Sequence, residues 1–462
     1  MAESVKTEVI IVGAGLTGLT LAFYLKKAGI KFKIVEKLPR TGGVIQTISE
    51  KGFVYETGPN TGVISHPELA ELFEDLNGKC TLEIADPNAK RRLIWKNRMW
   101  HAIPSGLLSA INTPLFTWHD KFRILGEPFR PKGTNPNETL AELVKRRLGQ
   151  SFLDYAVDPF ISGVYAGDPN RLIPRYALPK LWKLEQEYGS FIGGSIKKAK
   201  LPKTELDKKA TREVFSAKGG LSRLTDALTE VIGQENILLN VQNIMAKPSA
   251  DGFQLQVTDA QKMMVIETRH LITTCGGYAL EGLLPFLSAE EVAPFNELEY
   301  AAVTQVLLGF NRWKGMSLKA FGGLVPSREK RNILGVLFTS SFFENRAPKD
   351  GAVLSVFMGG IKRPDIIKMN DDEIQSLLDK ELPRMLGDRN LSPDMIRICR
   401  YPKAIPQYLE NTGKRYEMIE RLQQKYPGLI LAGNIRDGIG MADRVKQGRT
   451  IAEELKKKYQ QA

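Results

Sequence analysis

The chain has 462 residues, of which 42% are hydrophobic and 25% charged, and it carries a formal net charge of +13. These values exclude fibrous, disordered and low-complexity proteins, and they predict a globular protein of two or three domains, or of one large domain with insertions. The sequence has no run of about 18 apolar residues that would cross a membrane. No signal peptide precedes its first predicted strand, so we expect a cytoplasmic protein.

The three cysteines, Cys80, Cys275 and Cys399, lie far apart in the sequence. Their spacing indicates neither a disulfide framework nor a zinc site, and we expect no metal.

The excess positive charge is concentrated in runs such as residues 195–212 and 455–462. A solvated basic surface, an anionic membrane surface, an anionic substrate and nucleic acid would each account for it. Nucleic acid is the weakest interpretation, because no zinc spacing and no aromatic-rich basic motif accompanies the charge. We therefore expect no nucleic-acid partner.

The first predicted elements form a strand, glycine turn, helix and second strand over residues 8–37. Gly13, Gly15 and Gly18 make a G-x-G-x-x-G pattern between the first strand and the helix, and Glu36 ends the second strand. This is the first half of a Rossmann unit, in which the helix N-terminus holds a diphosphate and the acid accepts hydrogen bonds from a ribose. The unit predicts a dinucleotide site but does not separate NAD from FAD.

The residues after this unit favour FAD. Arg40, Gly42 and Gly43 follow the second strand directly. An NAD domain does not need them, whereas the ring of a flavin extends beyond the diphosphate and requires bare backbone along its linker. A simple surface turn is the alternative, because Pro-Arg-Thr-Gly-Gly is good turn chemistry.

The middle of the chain predicts an insertion and a second sheet. Residues 86–212 are rich in aromatic residues, prolines and short helical patterns, while residues 236–275 have the alternation of a β-meander. Further strands are expected at 300–310, 319–326, 331–341 and 351–360, and a helix at 371–386.

The C-terminal region predicts a second glycine-rich strand–loop–helix unit. A strand at 429–433 leads into a loop with Gly433, Asn434, Gly438 and Gly440, and a helix follows near Met441. Such a helix would direct its positive end at a bound flavin and stabilise negative charge on the ring during reduction. An ordinary βα unit is the alternative.

The chain resembles the oxygen-dependent, HemY-like protoporphyrinogen and coproporphyrinogen oxidases of the amine-oxidase-like FAD superfamily. The resemblance runs almost end to end, and its most specific motifs are YETGPN (55–60), DPFISGVYAGDPNRL (158–172), FSAKGGLSRLTDAL (215–228), YPKAIPQY (401–408) and AGNIRDGIGMADRVKQG (432–448).

The resemblance implies an α/β fold with a Rossmann-like FAD-binding domain of the glutathione-reductase-2 or amine-oxidase type, an α+β substrate domain and a helical insertion. The expected division is an FAD-binding domain at 1–85, 213–290 and 401–462, a mostly helical insertion at 86–212, and a substrate-binding sheet at 291–400.

The resemblance also implies the site residues. Those expected to bind FAD are Gly13, Ala14, Gly15, Leu16, Thr17, Gly18, Glu36, Lys37, Arg40, Gly42, Gly43, Val44, Gly58, Pro59, Asn60, Thr61, Val241, Gly433, Asn434, Ile439, Gly440 and Met441. Those expected to bind substrate are Ser162, Gly163, Val164, Tyr165, Ala166, Gly167 and Lys51. Lys51 takes the place of an arginine that meets a substrate carboxylate in some relatives. No catalytic side chain is expected, and His66, His101, His119 and His270 are interpreted as surface or core residues.

The implied reaction is the six-electron oxidation of a porphyrinogen to a porphyrin in heme biosynthesis, with FAD reoxidised by O2 and H2O2 released. A flavin amine oxidase or carotenoid desaturase on the same fold is the main alternative, and a non-enzymatic dinucleotide-binding regulator is another. The resemblance further implies peripheral contact of the insertion with an anionic membrane at the cytoplasmic face of the inner membrane, a homodimer, and hand-off of product to the next heme-pathway enzyme.

Overall fold

The computed structural model describes residues 3–202, 204–259 and 262–461. The strands are β1 (Glu3–Val12), β2 (Phe32–Val35), β3 (Thr47–Glu50), β4 (Phe53–Glu56), β5 (Gly62–Val63), β6 (Leu82–Ile84), β7 (Arg92–Lys96), β8 (Met99–Ala102), β9 (Val214–Ala217), β10 (Ile237–Leu238), β11 (Gln242–Ser249), β12 (Gly252–Asp259), β13 (Lys262–Thr273), β14 (Tyr300–Phe310), β15 (Gly322–Leu324), β16 (Ile333–Leu337), β17 (Ala352–Gly359), β18 (Met395–Pro406) and β19 (Leu429–Leu431).

The α-helices are α1 (Leu16–Lys27), α2 (Pro67–Asp75), α3 (Leu107–Asn112), α4 (Trp118–Leu125), α5 (Leu140–Arg147), α6 (Gln150–Phe152), α7 (Asp158–Val164), α8 (Pro174–Ala177), α9 (Pro179–Tyr188), α10 (Phe191–Ala199), α11 (Glu205–Lys209), α12 (Ser222–Ile232), α13 (Leu280–Leu283), α14 (Ala289–Asn296), α15 (Thr339–Phe342), α16 (Asp371–Leu386), α17 (Thr412–Lys425) and α18 (Met441–Gln461).

The first sheet has the strand order β10-β2-β1-β13-β12-β11, with β19 also paired to β13. Strands β10, β2, β1, β13 and β19 are parallel, whereas β12 and β11 extend the sheet antiparallel. Alternate side chains of β1 enter two different cores, with Val9 and Ile11 on one face and Ile10 and Val12 on the other. The apolar run of β1 follows from this burial on both faces, which is typical of parallel sheets.

The second sheet has the order β18-β14-β17-β16-β15-β7-β8 and is antiparallel except between β15 and β7. Its core includes Ile374, Leu378 and Leu382, one apolar face of α16. The hairpin of β7 and β8 also belongs to this sheet, although residues 92–102 lie in the stretch expected to be a mostly helical insertion. Asn97 and Arg98 at its turn have φ of 50° and 67°, the left-handed pair that a two-residue hairpin requires.

The helices between residues 107 and 209 are held together by buried charges. Arg147 is fully buried and donates from Nη1 to the Glu127 and Arg130 carbonyls. The Glu127 carboxylate accepts from the backbone N–H groups of Phe191 and Ile192, at 2.9 and 3.1 Å, and so satisfies the start of α10. A π-helical turn, Leu153–Val157, continues α6 into α7.

Within the described parts of the chain, no helix is both long enough and apolar enough to cross a bilayer.

Candidate functional site

The carboxyl ends of four parallel strands meet at one edge of the first sheet. Val12 at the end of β1 is paired with Val35 of β2 and with Thr273 of β13, and Thr273 is paired with Leu431 of β19. The loops that follow these strands therefore converge, and in open α/β sheets ligands bind at this edge.

The glycine turn after β1 fits against α1 without room for side chains. A Cβ added to Gly18 would lie 2.0 Å from the Gly13 carbonyl oxygen, so only glycine permits this approach. A Cβ on Gly15 would meet no atom within 4 Å, so the same turn is open on its outer side. Gly15 is the N-cap residue of α1; no side chain caps this helix end and no acid lies in its first turn, which leaves its N–H groups and positive end for an anion.

Glu36 connects the glycine turn to the end of β2 through hydrogen bonds. Its carboxylate accepts from the Ala14 N–H at 2.7 Å and from the Leu38 N–H at 2.9 Å. The Val241 N–H donates to the Glu36 carbonyl at 3.0 Å, so Val241 lies beside this acid. A carboxylate has further lone pairs, so Glu36 retains the capacity to accept from ribose hydroxyls.

The loop after β2 lies against the glycine turn. Gly42 donates its N–H to the Ala14 carbonyl at 2.8 Å, and a Cβ on Gly43 would lie 3.2 Å from the Gly15 Cα. Arg40 Nη1 donates to the Thr41 and Ile45 carbonyls, both at 3.1 Å, so the guanidinium shapes this loop. Val44 is 65% exposed in the same groove.

Residues 58–61 continue the groove. A Cβ on Gly58 would lie 2.2 Å from the Val44 carbonyl oxygen, and Gly58 donates its N–H to Gln305 Oε1 at 3.0 Å. Gln305 is fully buried on β14 and donates from Nε2 to the Glu56 carbonyl at 2.9 Å. The second sheet thus positions this segment through one side chain, which sequence reasoning did not identify.

Glu56 lies at the end of β4, immediately before this segment. Burial raises its pKa to about 7, although hydrogen bonds from the Leu221 N–H and the Thr47 hydroxyl act in the opposite direction. Its charge therefore changes near neutral pH, where most protein carboxylates are fully ionised.

The C-terminal loop closes the groove from the other side. Thr274 contacts both glycine regions. A Cβ added to Gly13 would lie 2.5 Å from the Thr274 Oγ1, and a Cβ added to Gly433 would lie 2.6 Å from the Thr274 carbonyl oxygen. Gly433 donates its N–H to Gln447 Oε1 at 2.8 Å. A Cβ on Gly448 of α18 would lie 2.7 Å from the Thr17 carbonyl oxygen, so α18 packs closely on α1.

The structure brings together the segments that the sequence predicts for the cofactor. The first turn of α1 contains Leu16 and Thr17, Lys37 is exposed just after β2, Pro59, Asn60 and Thr61 follow Gly58, and Asn434, Ile439, Gly440 and Met441 follow β19 into α18.

These residues fit FAD. The uncapped start of α1, the open side of Gly15 and the bare backbone at Gly43 match a diphosphate and its linker. The Asn60 side-chain oxygen is buried without a hydrogen-bond partner beside the groove, and such atoms require one.

The two strings most specific to the resemblance are in direct contact. Gln407 is buried and donates from Nε2 to the Tyr165 carbonyl at 2.9 Å. The Tyr165 and Tyr408 rings are 6.4 Å apart in an edge arrangement, and Ile439 packs on the same apolar cluster. The predicted substrate segment therefore adjoins the C-terminal loop of the predicted cofactor groove.

The backbone of this segment is fixed at both ends. Ala166 has φ of 47°, and its carbonyl accepts from the Ile361 N–H at 2.8 Å. At the other end, the buried Asp158 carboxylate accepts from the Ser327 N–H at 2.7 Å and pairs with Lys362. Ser162 Oγ is buried without a partner.

Four residues of the segment differ in their surroundings. A Cβ on Gly163 would lie 2.4 Å from Leu324 Cδ2, and one on Gly167 would lie 2.6 Å from Gln407 Oε1. Val164 is exposed. Burial raises the pKa of Tyr165 to about 12, and the charge of Asp443 adds to this effect.

Lys51 is not brought to these residues. It lies at the exposed tip of the β3–β4 hairpin, with φ of 51°, and the whole of β4 separates it from Gly58. The hairpin turn directs residue 51 to the far end of the strand pair, so the expected role of Lys51 with a substrate carboxylate has no support in its position.

A cavity of about 610 Å³ lies elsewhere, lined by twelve residues that include Lys96, Arg123, Tyr155 and Arg328. None of the predicted site residues lines it. Most of the cationic side chains that line it already form an ion pair or donate hydrogen bonds to backbone carbonyls.

Comparison with known proteins agrees with this geometry. Residues 16–456 match the family model described as flavin containing amine oxidoreductase. A chloroplastic protoporphyrinogen oxidase of Nicotiana tabacum is 30% identical, with 96% of this chain and 85% of that protein aligned. A coproporphyrinogen III oxidase of Bacillus subtilis (strain 168) is 25% identical, with 97% and 98% aligned.

A solved structure has the same fold. The crystal structure of a protein provisionally described as protoporphyrinogen oxidase, from Exiguobacterium sp. 255-15, superposes with a TM-score of 0.81 over 98% of this chain and 99% of that one, at 23% identity. The family model covers nearly the whole chain, and the groove residues fit the cofactor. The chain belongs to the family of flavin-containing amine oxidoreductases and is an FAD-dependent oxidoreductase.

Proposed function

We propose that this protein is an oxygen-dependent porphyrinogen oxidase of heme biosynthesis. It converts one protoporphyrinogen IX or coproporphyrinogen III and three O2 to the corresponding porphyrin and three H2O2. The names of the aligned relatives support this reaction. The observation that carries the proposal is the shared apolar cluster of Tyr165 and Ile439, through which the proposed substrate segment adjoins the proposed flavin loop.

In the proposed site, FAD lies along residues 13–18, 36–44, 58–61, 433–434 and 439–441, with Val241 beside its adenosine end. Bound FAD supplies hydride acceptance and reaction with oxygen. The uncapped N–H groups of α1 bind the diphosphate, Glu36 orients the ribose, and Gln305 sets the position of Gly58. Residues 162–167 form one wall of the substrate pocket.

We further propose that the domain division follows the two sheets, with residues 92–102 assigned to the second sheet.

The test is turnover of the purified, FAD-loaded protein in air. We expect fluorescent porphyrin to form from either porphyrinogen, with oxygen uptake and peroxide release in a 1:1 ratio. Side-by-side kcat/KM values on the two porphyrinogens would identify the natural substrate. Gly15→Ala is the matched control, because its added Cβ meets no protein atom but enters the diphosphate position. Oxidation of amines or desaturation of carotenoids without porphyrin formation would overturn the proposal.

We also propose peripheral contact with an anionic membrane at its cytoplasmic face. Helix α4 exposes one apolar face, on which Phe122 is 66% and Leu125 72% exposed, and Phe129 beyond it is 88% exposed. Lys121 lies 4.4 Å from the Trp118 ring at the edge of this face. Exposed aromatic residues flanked by cations are typical of interfacial helices.

Vesicle co-sedimentation tests this contact. We expect Phe122→Asp to abolish binding to vesicles that contain anionic lipid. Met245→Asp is the control, since Met245 is also exposed but lies on β11, far from this face in the sequence. Equal binding by both variants and the unaltered protein would contradict the proposal.

A homodimer and hand-off of porphyrin to the next heme-pathway enzyme are the remaining parts of the proposal. Light scattering tests the dimer, and porphyrin transfer to that enzyme in a trap assay with a competing acceptor tests the hand-off.

A further inference from the structure

Asp443 lies in the first turn of α18, at the end of the loop predicted to meet the flavin. Its Oδ2 accepts from the Gly440 N–H at 3.0 Å, and its Oδ1 lies 3.0 Å from His66 Nε2. An added Cβ on Gly438 would lie 2.3 Å from the same Oδ2, so the carboxylate packs directly against the loop backbone. One side chain therefore contacts the loop and a histidine from a distant part of the sequence.

His66 reaches this position because α2 packs on α18. It immediately precedes α2, and it follows the 58–61 segment by five residues. Sequence reasoning interpreted His66 as a surface or core residue, since it lies in no motif. In the structure its ring contacts the Asp443 carboxylate, and strand β5, which follows residues 58–61, packs on α18.

The carboxylate alters the electrostatics of the helix end. The N-terminus of a long helix carries a partial positive charge that favours nearby anions. Asp443 sets a full negative charge in the same turn, which offsets that effect on any group beyond the loop. A protonated His66 would in turn neutralise Asp443, and histidine side chains commonly gain their charge between pH 8 and pH 5.

The surroundings keep Asp443 ionised. Burial acts to raise its pKa, but the hydrogen bonds from His66 and from the Gly440 N–H outweigh burial and lower the pKa. The other charged or titratable groups facing the pair are Arg444 and Lys446 on α18, Glu68 on α2, Lys180 on α9 and Tyr165. Arg444 donates hydrogen bonds to the Arg436 carbonyl and to Gln447 Oε1. Lys446 Nζ lies 3.9 Å from Glu68 Oε1.

We propose that the His66–Asp443 pair tunes how strongly this protein stabilises negative charge on its flavin, weakly at alkaline pH and more strongly once His66 is protonated. The inference rests on the proposed placement of FAD against residues 439–441. Both residues act through the loop and helix end, so they are positioning residues for the flavin. Reduction of the ring by the substrate is where such charge develops.

Sulfite binding measures this property without turnover. Sulfite adds reversibly to an oxidised flavin and leaves negative charge on the ring, and the bleaching of flavin absorbance gives its Kd. The ratio of variant to wild-type Kd at each pH cancels the titration of sulfite itself. We expect Asp443→Asn to tighten sulfite binding about fivefold at pH 8, the scale of one charge at a helix end, and by less at pH 5.5. We expect His66→Gln to match wild type at pH 8 and to weaken binding about threefold at pH 5.5.

The double variant and a distant histidine serve as controls. His66→Gln combined with Asp443→Asn should resemble Asp443→Asn at pH 8, and its ratio should approach one at pH 5.5, where a protonated His66 neutralises Asp443 in the wild-type protein. His270→Gln, whose imidazole lies 3.0 Å from the Tyr459 hydroxyl on another part of the fold, should give a ratio near one throughout. A purely structural role would change FAD retention equally at both pH values.

The outcomes separate this inference from the proposed function. Porphyrin formation by an FAD-loaded protein whose ratios do not vary with pH overturns the inference and leaves the function intact. Failure of the wild-type protein to bind FAD overturns both. If Asp443→Asn does not retain FAD, the sulfite Kd ratio of His66→Gln at the two pH values tests the inference by itself.

Discussion

The glycine groove and the 158–167 segment are built in opposite ways. The closest approaches in the groove are of backbone to backbone: Gly18 to Gly13, Gly43 to Gly15 and Gly58 to Val44. The segment is held at its two ends chiefly by side chains from distant parts of the chain, Gln407 at one end and Lys362 and Ser327 at the other. A backbone contact of this kind requires a residue without a Cβ, so that residue does not tolerate substitution. Side-chain contacts can be lost one at a time, so the two regions should respond differently to substitution.

Gly18→Ala is expected to have the largest effect. Its Cβ would lie 2.0 Å from a backbone oxygen that cannot move without shifting β1 or α1. We expect a loss of about 3 kcal/mol or more of unfolding free energy, with loss of FAD. Urea denaturation and flavin absorbance after gel filtration measure both.

Two other glycines give the contrast. Gly15→Ala should lose FAD while keeping the wild-type unfolding free energy, and Gly282→Ala, at an exposed helical position with open space, should lose neither. An FAD-loaded Gly18→Ala protein of unchanged stability would contradict the description of the groove.

Gln407→Leu is expected to act on the segment alone. It leaves the partly buried Tyr165 and Ile405 carbonyls without this donor, at a cost of about 1–2 kcal/mol. We expect KM for the porphyrinogen to rise about tenfold, again a cost of 1–2 kcal/mol, with FAD content unchanged. Gln305→Leu is the matched substitution on the other side, because it removes the acceptor of the Gly58 N–H and should lower FAD retention. Identical effects of the two variants would remove the distinction between the regions.

Glu56 lies at the junction of the two regions and gives a pH-dependent prediction. Because burial raises its pKa from 4.5 to about 7, the folded protein binds more protons than the unfolded chain between these values. Stability therefore falls as pH rises from about 4.5 to 7, and this contribution is lost above pH 7.

Glu56→Gln removes that titration. Relative to wild type, we expect it to be more stable by about 2 kcal/mol at pH 8 and to lose that advantage at pH 5. Glu142→Gln, at an exposed carboxylate whose pKa is lowered by hydrogen bonds from Thr139, should not show this change between the two pH values. Parallel stability curves for Glu56→Gln and wild type would contradict the burial argument.

Ala166→Gly should have the smallest effect. Ala166 occupies the left-handed region with φ of 47°, where glycine is relieved of strain but costs more entropy on folding. We expect an unfolding free energy within about 1 kcal/mol of wild type and unchanged FAD content. Loss of activity with normal folding would instead show that the alanine methyl contacts substrate.

The first strand–turn–helix unit could be predicted because its elements are local in the sequence. Its helix is α1 (Leu16–Lys27), and the strand at 300–310 and the helix at 371–386 have the predicted bounds. In each, apolar spacing and flanking signals agree with burial. The loops meet at one edge of the first sheet because β2, β1, β13 and β19 are parallel neighbours in it.

Other parts could not be predicted from the sequence. The β7–β8 hairpin lacks a glycine at its turn, and Asn97 and Arg98 adopt positive φ instead. Helix α17 buries Thr412 and Arg415 on the same face as Ile419 and Leu422, so its apolar pattern is broken. The roles of Gln305, Gln407 and His66 depend on partners far away in the sequence, and no local pattern marks them.

The groove joins residues 13–18 to residues 433–441, and this has a consequence for how the protein is made. A nascent chain can begin the parallel sheet early, but it lacks β19 and α18 until synthesis has reached them. The flavin-binding surface therefore cannot be complete while the chain is still growing through its middle third. In the proposed site, FAD would therefore bind only after translation has nearly finished.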